Sequence, residues 1–272
     1  MKFVIGLLAL VSILAVNPTS ADVSLSRVDE DNPNWRTNPH LFISGKIQLG
    51  DYERAINAVK EVYTQGDIGR LFVYLDSPGG DVLEAMRIGR LVRKLKLTTL
   101  VGRGQCSSAC VFILVSGAQR VGGSIGIHRP HFNTEYFSGL SAEEAKNKYE
   151  EMSAAAKAYL MEMGVASEFI ERMFRTASNE IDKLTSEEEQ KWIEGSSAAL
   201  DEWLIAKCGS YTKDEANDYS MWLAQRVDLK PGYASYLKEK INKVDNCRMG
   251  ALATEHERTA EKLFSTTSMP KK

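Results

Sequence analysis

An α/β fold with largely parallel strands and an added α-helical C-terminal region is predicted for this chain of 272 residues by three features. Through the first half, short apolar runs bounded by turn residues alternate with stretches whose apolar residues recur at helical spacing. From residue 141 onward alanine, glutamate, lysine and methionine dominate, a composition that favours helices. A hydrophobic fraction of 43% supplies one large core or two small ones, and is too high for a disordered chain.

The elements follow in order. Residues 1–21 read as a secretory signal peptide: Lys2 gives a positive start, an uncharged apolar stretch runs from Phe3 to Val16, and Thr19 and Ala21 are small residues before a cleavage point. The apolar run is short for a membrane span, so a membrane association is expected only if this segment stays uncleaved. Residues 22–39 are polar with two prolines and read as an extended leader. Residues 41–47 (LFISGKI) suggest a strand and 52–63 a helix. Residues 71–75 (LFVYL) suggest a buried strand, 82–95 a helix and 98–101 a strand. The almost wholly apolar 106–117 reads as a buried helix, and 124–127 as another short strand. Beyond 141 we expect a long helix, a break at Gly164 and a second helix. A further helix start is capped by Thr185 or Ser186 ahead of glutamates. Several short helices between 196 and 264 are interrupted near Gly209 and Pro231–Gly232, and 265–272 are expected to fray.

Charge and cysteine content narrow the function. Lysine plus arginine (34) nearly balances aspartate plus glutamate (36), so nothing advertises a nucleic-acid partner. An exported chain meets an oxidising compartment, where four cysteines read as two disulfides. Of the three possible connectivities, Cys106 with Cys110 and Cys208 with Cys247 is the economical one. Neither pair has a histidine nearby that suits a zinc site. Nothing in the sequence calls for a metal or a cofactor.

Two junctions carry the chemistry. Asp76-Ser77-Pro78-Gly79-Gly80-Asp81 stands where a buried strand hands over to a helix, and its glycines let consecutive backbone N–H groups turn toward an anion. Gly104-Gln105-Cys106-Ser107-Ser108-Ala109-Cys110 places two serines among small residues at the mouth of an apolar segment, where serines ordinarily cap helices. His128 closes the short strand twenty residues beyond Ser108. Each is weak alone. Together they list oxyanion donors, nucleophile and base in chain order.

That ordered set resembles the proteolytic subunit of the Clp protease, within the ClpP/crotonase superfamily. The matching segments are SPGG at 77–80, the G-x-x-x-S pattern from Gly104 to Ser108, SGAQR at 116–120 and IHRP at 127–130. The likeness covers roughly 41–191. It implies a spiral of β-β-α units over 40–195; the helical extension read over 196–264 has no counterpart in the Clp subunit. It also implies Ser108 as nucleophile, His128 as general base, and the backbone N–H groups of Gly80 and Ala109 as the oxyanion hole of a serine peptidase acting on peptides or unfolded segments. Relatives assemble into rings or trimers, so a homo-oligomer is implied, whereas an exported chain has no ATP supply and no ATP-driven unfoldase is expected.

The third member of the triad is the weak point of the match. The family's aspartate precedes an L-T-A-E-E segment, here LTSEE at 184–188. Ungapped alignment puts Ile181 at the aspartate position, with Asp182 beside it and Asn179 two before. Asp182 presented by a one-residue slip is the expectation we carry forward. Asn179 as a neutral orienting group, or a site run as a dyad, are the alternatives. A serine–lysine dyad using Lys146 or Lys148 is a further reading, although EEAKNKYEE also fits a solvated helix face. A binding or assembly protein that has lost efficient catalysis competes with the peptidase. Acyl-CoA chemistry on the same fold fits export poorly.

Overall fold

The computed structural model describes residues 22–27, 39–66 and 68–265, so the expectations for the signal peptide and the last residues lie outside the described residues. Strands β1 (Asp22–Arg27) and β2 (Pro39–Ser44) pair antiparallel, and β1 occupies part of the segment expected as an extended leader. Helix α1 (Asp51–Thr64) leads to β3 (Phe72–Ser77), parallel to β2. Helix α2 (Val82–Lys94) and β4 (Thr98–Ser107) complete a parallel β-α-β crossover.

The first half of β4 pairs β5 (Gln119–Val121), whereas its second half pairs β6 (Ser124–Ile127). One strand thus feeds two neighbours at different ends, which curls the sheet. The two-residue strands β7 (Asp182–Lys183) and β8 (Gly195–Ser196) close it, β7 against β6 and β8 against β5.

The segment from residue 106 differs from expectation. The strand does not stop at Val101 but continues through Ser107, and helix α3 (Ala109–Leu114) starts only after Ser108. Both Cys106 and the whole of α3 are buried, so the apolar run carries no periodicity that separates a buried strand from a buried helix. Pairing with β6 decides the matter.

Helices α4 (Ala142–Glu162) and α5 (Ser167–Arg175) are separated at Gly164, whose φ of 73° ends the first of them. Helix α6 (Ser186–Trp192) begins with Thr185 and Glu188 in a reciprocal capping box. The extension comprises α7 (Ala198–Cys208), α8 (Lys213–Leu223) and α9 (Pro231–Phe264). Pro231 does not interrupt a helix but opens one of 34 residues, because a proline in the first turn loses no helical hydrogen bond.

The extension docks on the core. Ala260 joins the main core cluster, and Leu200, Leu204, Ala251 and Leu252 form a second cluster with Ala118. A Cβ on Gly69 would lie 2.9 Å from the Ala253 side chain, so α9 passes close over that turn. The second disulfide, Cys208–Cys247, ties α7 to α9.

Candidate active site

The Asp76–Asp81 turn is held from several sides. Ser77, fully buried, donates its hydroxyl to Gly45 O at 2.6 Å and accepts from the Gly79 N–H at 3.1 Å. The Asp76 carboxylate accepts from the Gln105 N–H at 3.0 Å, fastening the turn to β4 where the β3–β4 register shifts. Asp81 caps α2 by accepting from the Glu84 N–H at 2.8 Å. Buried Glu84 accepts from the N–H groups of Gly50 and Tyr52, at 2.9 and 2.8 Å, and so anchors the preceding loop.

Gly80 bridges Ile47 in parallel fashion: the Ile47 N–H donates to Gly79 O, and the Asp81 N–H donates to Ile47 O. This pattern leaves the Gly80 N–H on the other side of the chain, because successive amides in extended backbone alternate in direction. Gly79 stands directly against the second junction. A Cβ there would fall 2.6 Å from Ser108 Cβ and 2.9 Å from the Ala109 nitrogen.

Ser108 occupies that junction with φ 56° and ψ −124°. A non-glycine residue at positive φ is strained, and such strain persists only where its surroundings enforce it. Three do so here: the Ser108 N–H donates to Gly126 O at 3.0 Å, Gly79 packs on its Cβ, and Cys106 and Cys110 are joined across it with Cα atoms 5.2 Å apart. Ser108 is no ordinary cap, for its side chain bonds no amide of α3. Ala109 is the first residue of α3, so its N–H has no partner within the helix.

His128 follows β6 and is 8% exposed. The β4–β6 register sets Ser107 beside Gly126, which brings the ends carrying Ser108 and His128 together. The His128 Nδ1 lies 2.8 Å from the Arg129 carbonyl oxygen. A carbonyl can only accept, which assigns the proton to Nδ1 and leaves Nε2 as the basic nitrogen. Among the described residues no hydrogen bond joins Ser108 Oγ to the ring.

Asp182 is placed differently from Ser108 and His128. Both its carboxylate oxygens accept from Arg172, at 2.7 and 2.9 Å, and this bidentate partner holds its carboxyl below the usual range. Arg172 also pairs with Glu188. In the β6–β7 register Ile127 faces Asp182, so Asp182 shares the face of Ile127. The face of Gly126 and His128 belongs instead to Ile181, whose Cγ2 would lie 2.6 Å from a Cβ on Gly126. Lys146 and Lys148 sit on exposed parts of α4, in pairs with Glu150 and Glu151.

The model of the Clp protease family matches residues 34–183, more than half of the sequence. The chain belongs to the Clp protease family. No curated protein matches it. Membership makes this Clp-family chain a ClpP-like member of the ClpP/crotonase superfamily, and the family is one of serine peptidases. The curled sheet and the C-terminal helix fit that fold. Both cysteine pairs are compatible with an oxidising compartment, and among the described residues no helix is long and apolar enough to cross a membrane.

Sequence reasoning passed over three parts of this Clp-family site. The Arg129 carbonyl is a backbone atom and leaves no signal in the sequence. Asp76 was visible only as part of a turn. Arg172 lies ten residues from its partner and becomes relevant only once α5 packs beside β7.

The buried Cys106–Cys110 bridge gives a direct expectation. Reduction of this pair, or its replacement by two alanines, lowers serine reactivity by about tenfold or more, since ~1–2 kcal/mol of backbone strain at Ser108 then has one restraint fewer. Active-site titration before and after mild reduction, with thiol counting by mass, checks this. Unchanged titration with a demonstrably reduced pair sinks it.

Proposed function

We propose that this chain is an exported serine peptidase that cleaves peptides or unfolded segments through an acyl-enzyme on Ser108. The observation that carries the reading is the strained strand-to-helix turn at Ser108, packed against Gly79 with the Ala109 N–H beside it. Ser108 Oγ attacks the scissile carbonyl carbon while its proton passes to His128 Nε2. The carbonyl π-electrons move onto oxygen, where the Gly80 and Ala109 N–H groups stabilise the oxyanion. Collapse expels the amine, which takes the proton from His128. Water, deprotonated by the same nitrogen, then releases the carboxylate and restores the serine.

The neutral Arg129 carbonyl orients the histidine in this scheme, and the site runs as a Ser108–His128 dyad. A triad through Asp182 requires the carboxylate to leave Arg172 first. A cavity of about 460 Å³ that begins at Arg129, with Pro130, Phe132, Phe137 and Tyr149 on its apolar side and His131, Thr134 and Ser178 adding polar groups, is a candidate seat for a substrate side chain. Self-association into a homo-oligomer, ATP-independent action and cleavage of the leader after Ala21 belong to the same proposal.

A second reading, a ClpP-like binding protein with little catalysis, draws on Ile181 at the orienting position. A fluorophosphonate probe on the oxidised mature protein decides between them, with S108A as control and intact mass as readout. Labelling that vanishes in the variant supports the peptidase. A folded, disulfide-intact sample that takes no label leaves the binding protein.

A further inference from the structure

We propose that the cleft between the catalytic core and the C-terminal extension binds a small organic acid: a carboxylate carried on an apolar body. The cleft measures about 360 Å³, a size suited to a small ligand, and forms where the end of α2 meets the start of α7 and the far part of α9. Arg93, Lys96 and Arg258 line it, with Glu255 as the acid among its lining residues. Leu200 and Trp203 form its apolar side.

The charges do not balance. Glu255 is shared by Lys96 at 3.2 Å and Arg258 at 2.6 Å. Arg93 donates to the Val115 and Met163 carbonyls and makes no ion pair among the described residues, although the Glu162 charge acts on it from a distance. Arg120 lies behind the cleft wall rather than in it; it is only 8% exposed, its Nε has no hydrogen-bond partner, and it makes no ion pair among the described residues. Burial, and after it the nearby Arg93 charge, lowers the Arg120 pKa to about 10. Three lining cations against one lining carboxylate leave the cleft with surplus positive charge, which an anionic ligand offsets.

Two backbone features agree. Ser197, the N-cap of α7, makes no side-chain capping bond, so first-turn N–H groups of an 11-residue helix stay open toward an anion. Lys96 holds φ 55°, a helix-end conformation that usually goes to glycine, and its side chain lines the cleft beside Glu255. Head-group charge and an apolar wall in one cleft select an acid with an apolar body over inorganic anions or neutral molecules. Such an acid could be a free metabolite or the C-terminal carboxylate of a peptide, and the probes below separate the two. The inference holds whether or not Ser108 is active.

Isothermal titration of the oxidised, full mature chain carrying S108A avoids turnover and tests the cleft. The probes are 4-phenylbutyrate and acetyl-Ala-Ala-Phe, each compared with its amide. Saturable binding of either acid is expected, with the amide at least about tenfold weaker and R258Q or K96Q lowering affinity by a similar factor, as for loss of one charge-assisted contact. Binding of the peptide acid alone assigns the cleft to peptide carboxylates, and binding of both or of phenylbutyrate alone assigns it to free organic acids. The proposal is overturned if neither acid binds a folded sample, if acid and amide bind alike, or if both exposed-cation variants bind as the parent does.

Discussion

Replacing Ile181 by aspartate raises the rate of peptide hydrolysis by about ten- to a thousandfold, a gain set against the ~10⁴-fold that a serine peptidase loses when its orienting acid is neutralised. The pairing of β6 with β7 puts residue 181 on the face of His128 and residue 182 on the other. Ile181 is 49% exposed, so a carboxylate there stays solvated and its introduction costs little stability. A carboxylate at this point competes with the Arg129 carbonyl for the Nδ1 proton and stabilises the imidazolium that forms as Ser108 is deprotonated. I181N, similar in shape but uncharged, should recover little of this. D182N in the parent background should change the rate by less than about threefold while loosening the Arg172 pair. Steady-state kinetics on a fluorogenic peptide, with circular dichroism as the folding control, reads all three. A properly folded I181D with no gain, or a D182N that abolishes turnover, would return Asp182 to the triad.

Gly79→Ala should remove at least about a hundredfold of activity, comparable to the loss of one oxyanion donor. Its φ is 101°, and the new methyl group would stand 2.7 Å from the Ser107 carbonyl as well as against Ser108 Cβ. Neither neighbour is a flexible side-chain end, so the Ser108 turn itself must shift, and in the proposed mechanism a shift of about 1 Å is enough to spoil attack geometry. Gly66→Ala is the matched control. It carries a similar positive φ of 77°, yet nothing lies within 4 Å of its added Cβ. It should cost ~1–2 kcal/mol of stability through strain alone and leave turnover intact. Thermal midpoints and kcat for the two variants separate strain from displacement. Equal loss of activity in both would show that Gly79 matters for folding rather than for the turn.

Several parts of the molecule were legible in the residues themselves. Gly164, Thr185 with Glu188, and Asp81 act locally, through backbone conformation and capping within one turn, and a local signal survives in one dimension. The positions of SPGG, Ser108 and His128 are local in the same sense, since each stands at the end of its own strand. The pairing of the four cysteines was also recoverable, though for a different geometry than expected: Cys106 lies on a strand and Cys110 on a helix.

The boundary at Ser108, by contrast, was not written locally. Residues 106–117 are apolar throughout, and a segment buried on every side shows neither a period of two nor one of 3.6. Only the pairing of Gln105, Cys106 and Ser107 with Ser124, Ile125 and Gly126 carries the strand up to the turn at Ser108. The identity of the group facing His128 was likewise decided across strands. A single residue of register exchanges the two faces of a strand, so Ile181 and Asp182 are adjacent in sequence yet opposite in consequence. The sequence by itself determined the family, the fold class and the local turns and caps. The tertiary structure decided which face each side chain meets, because register is a property of two strands and is encoded in neither alone.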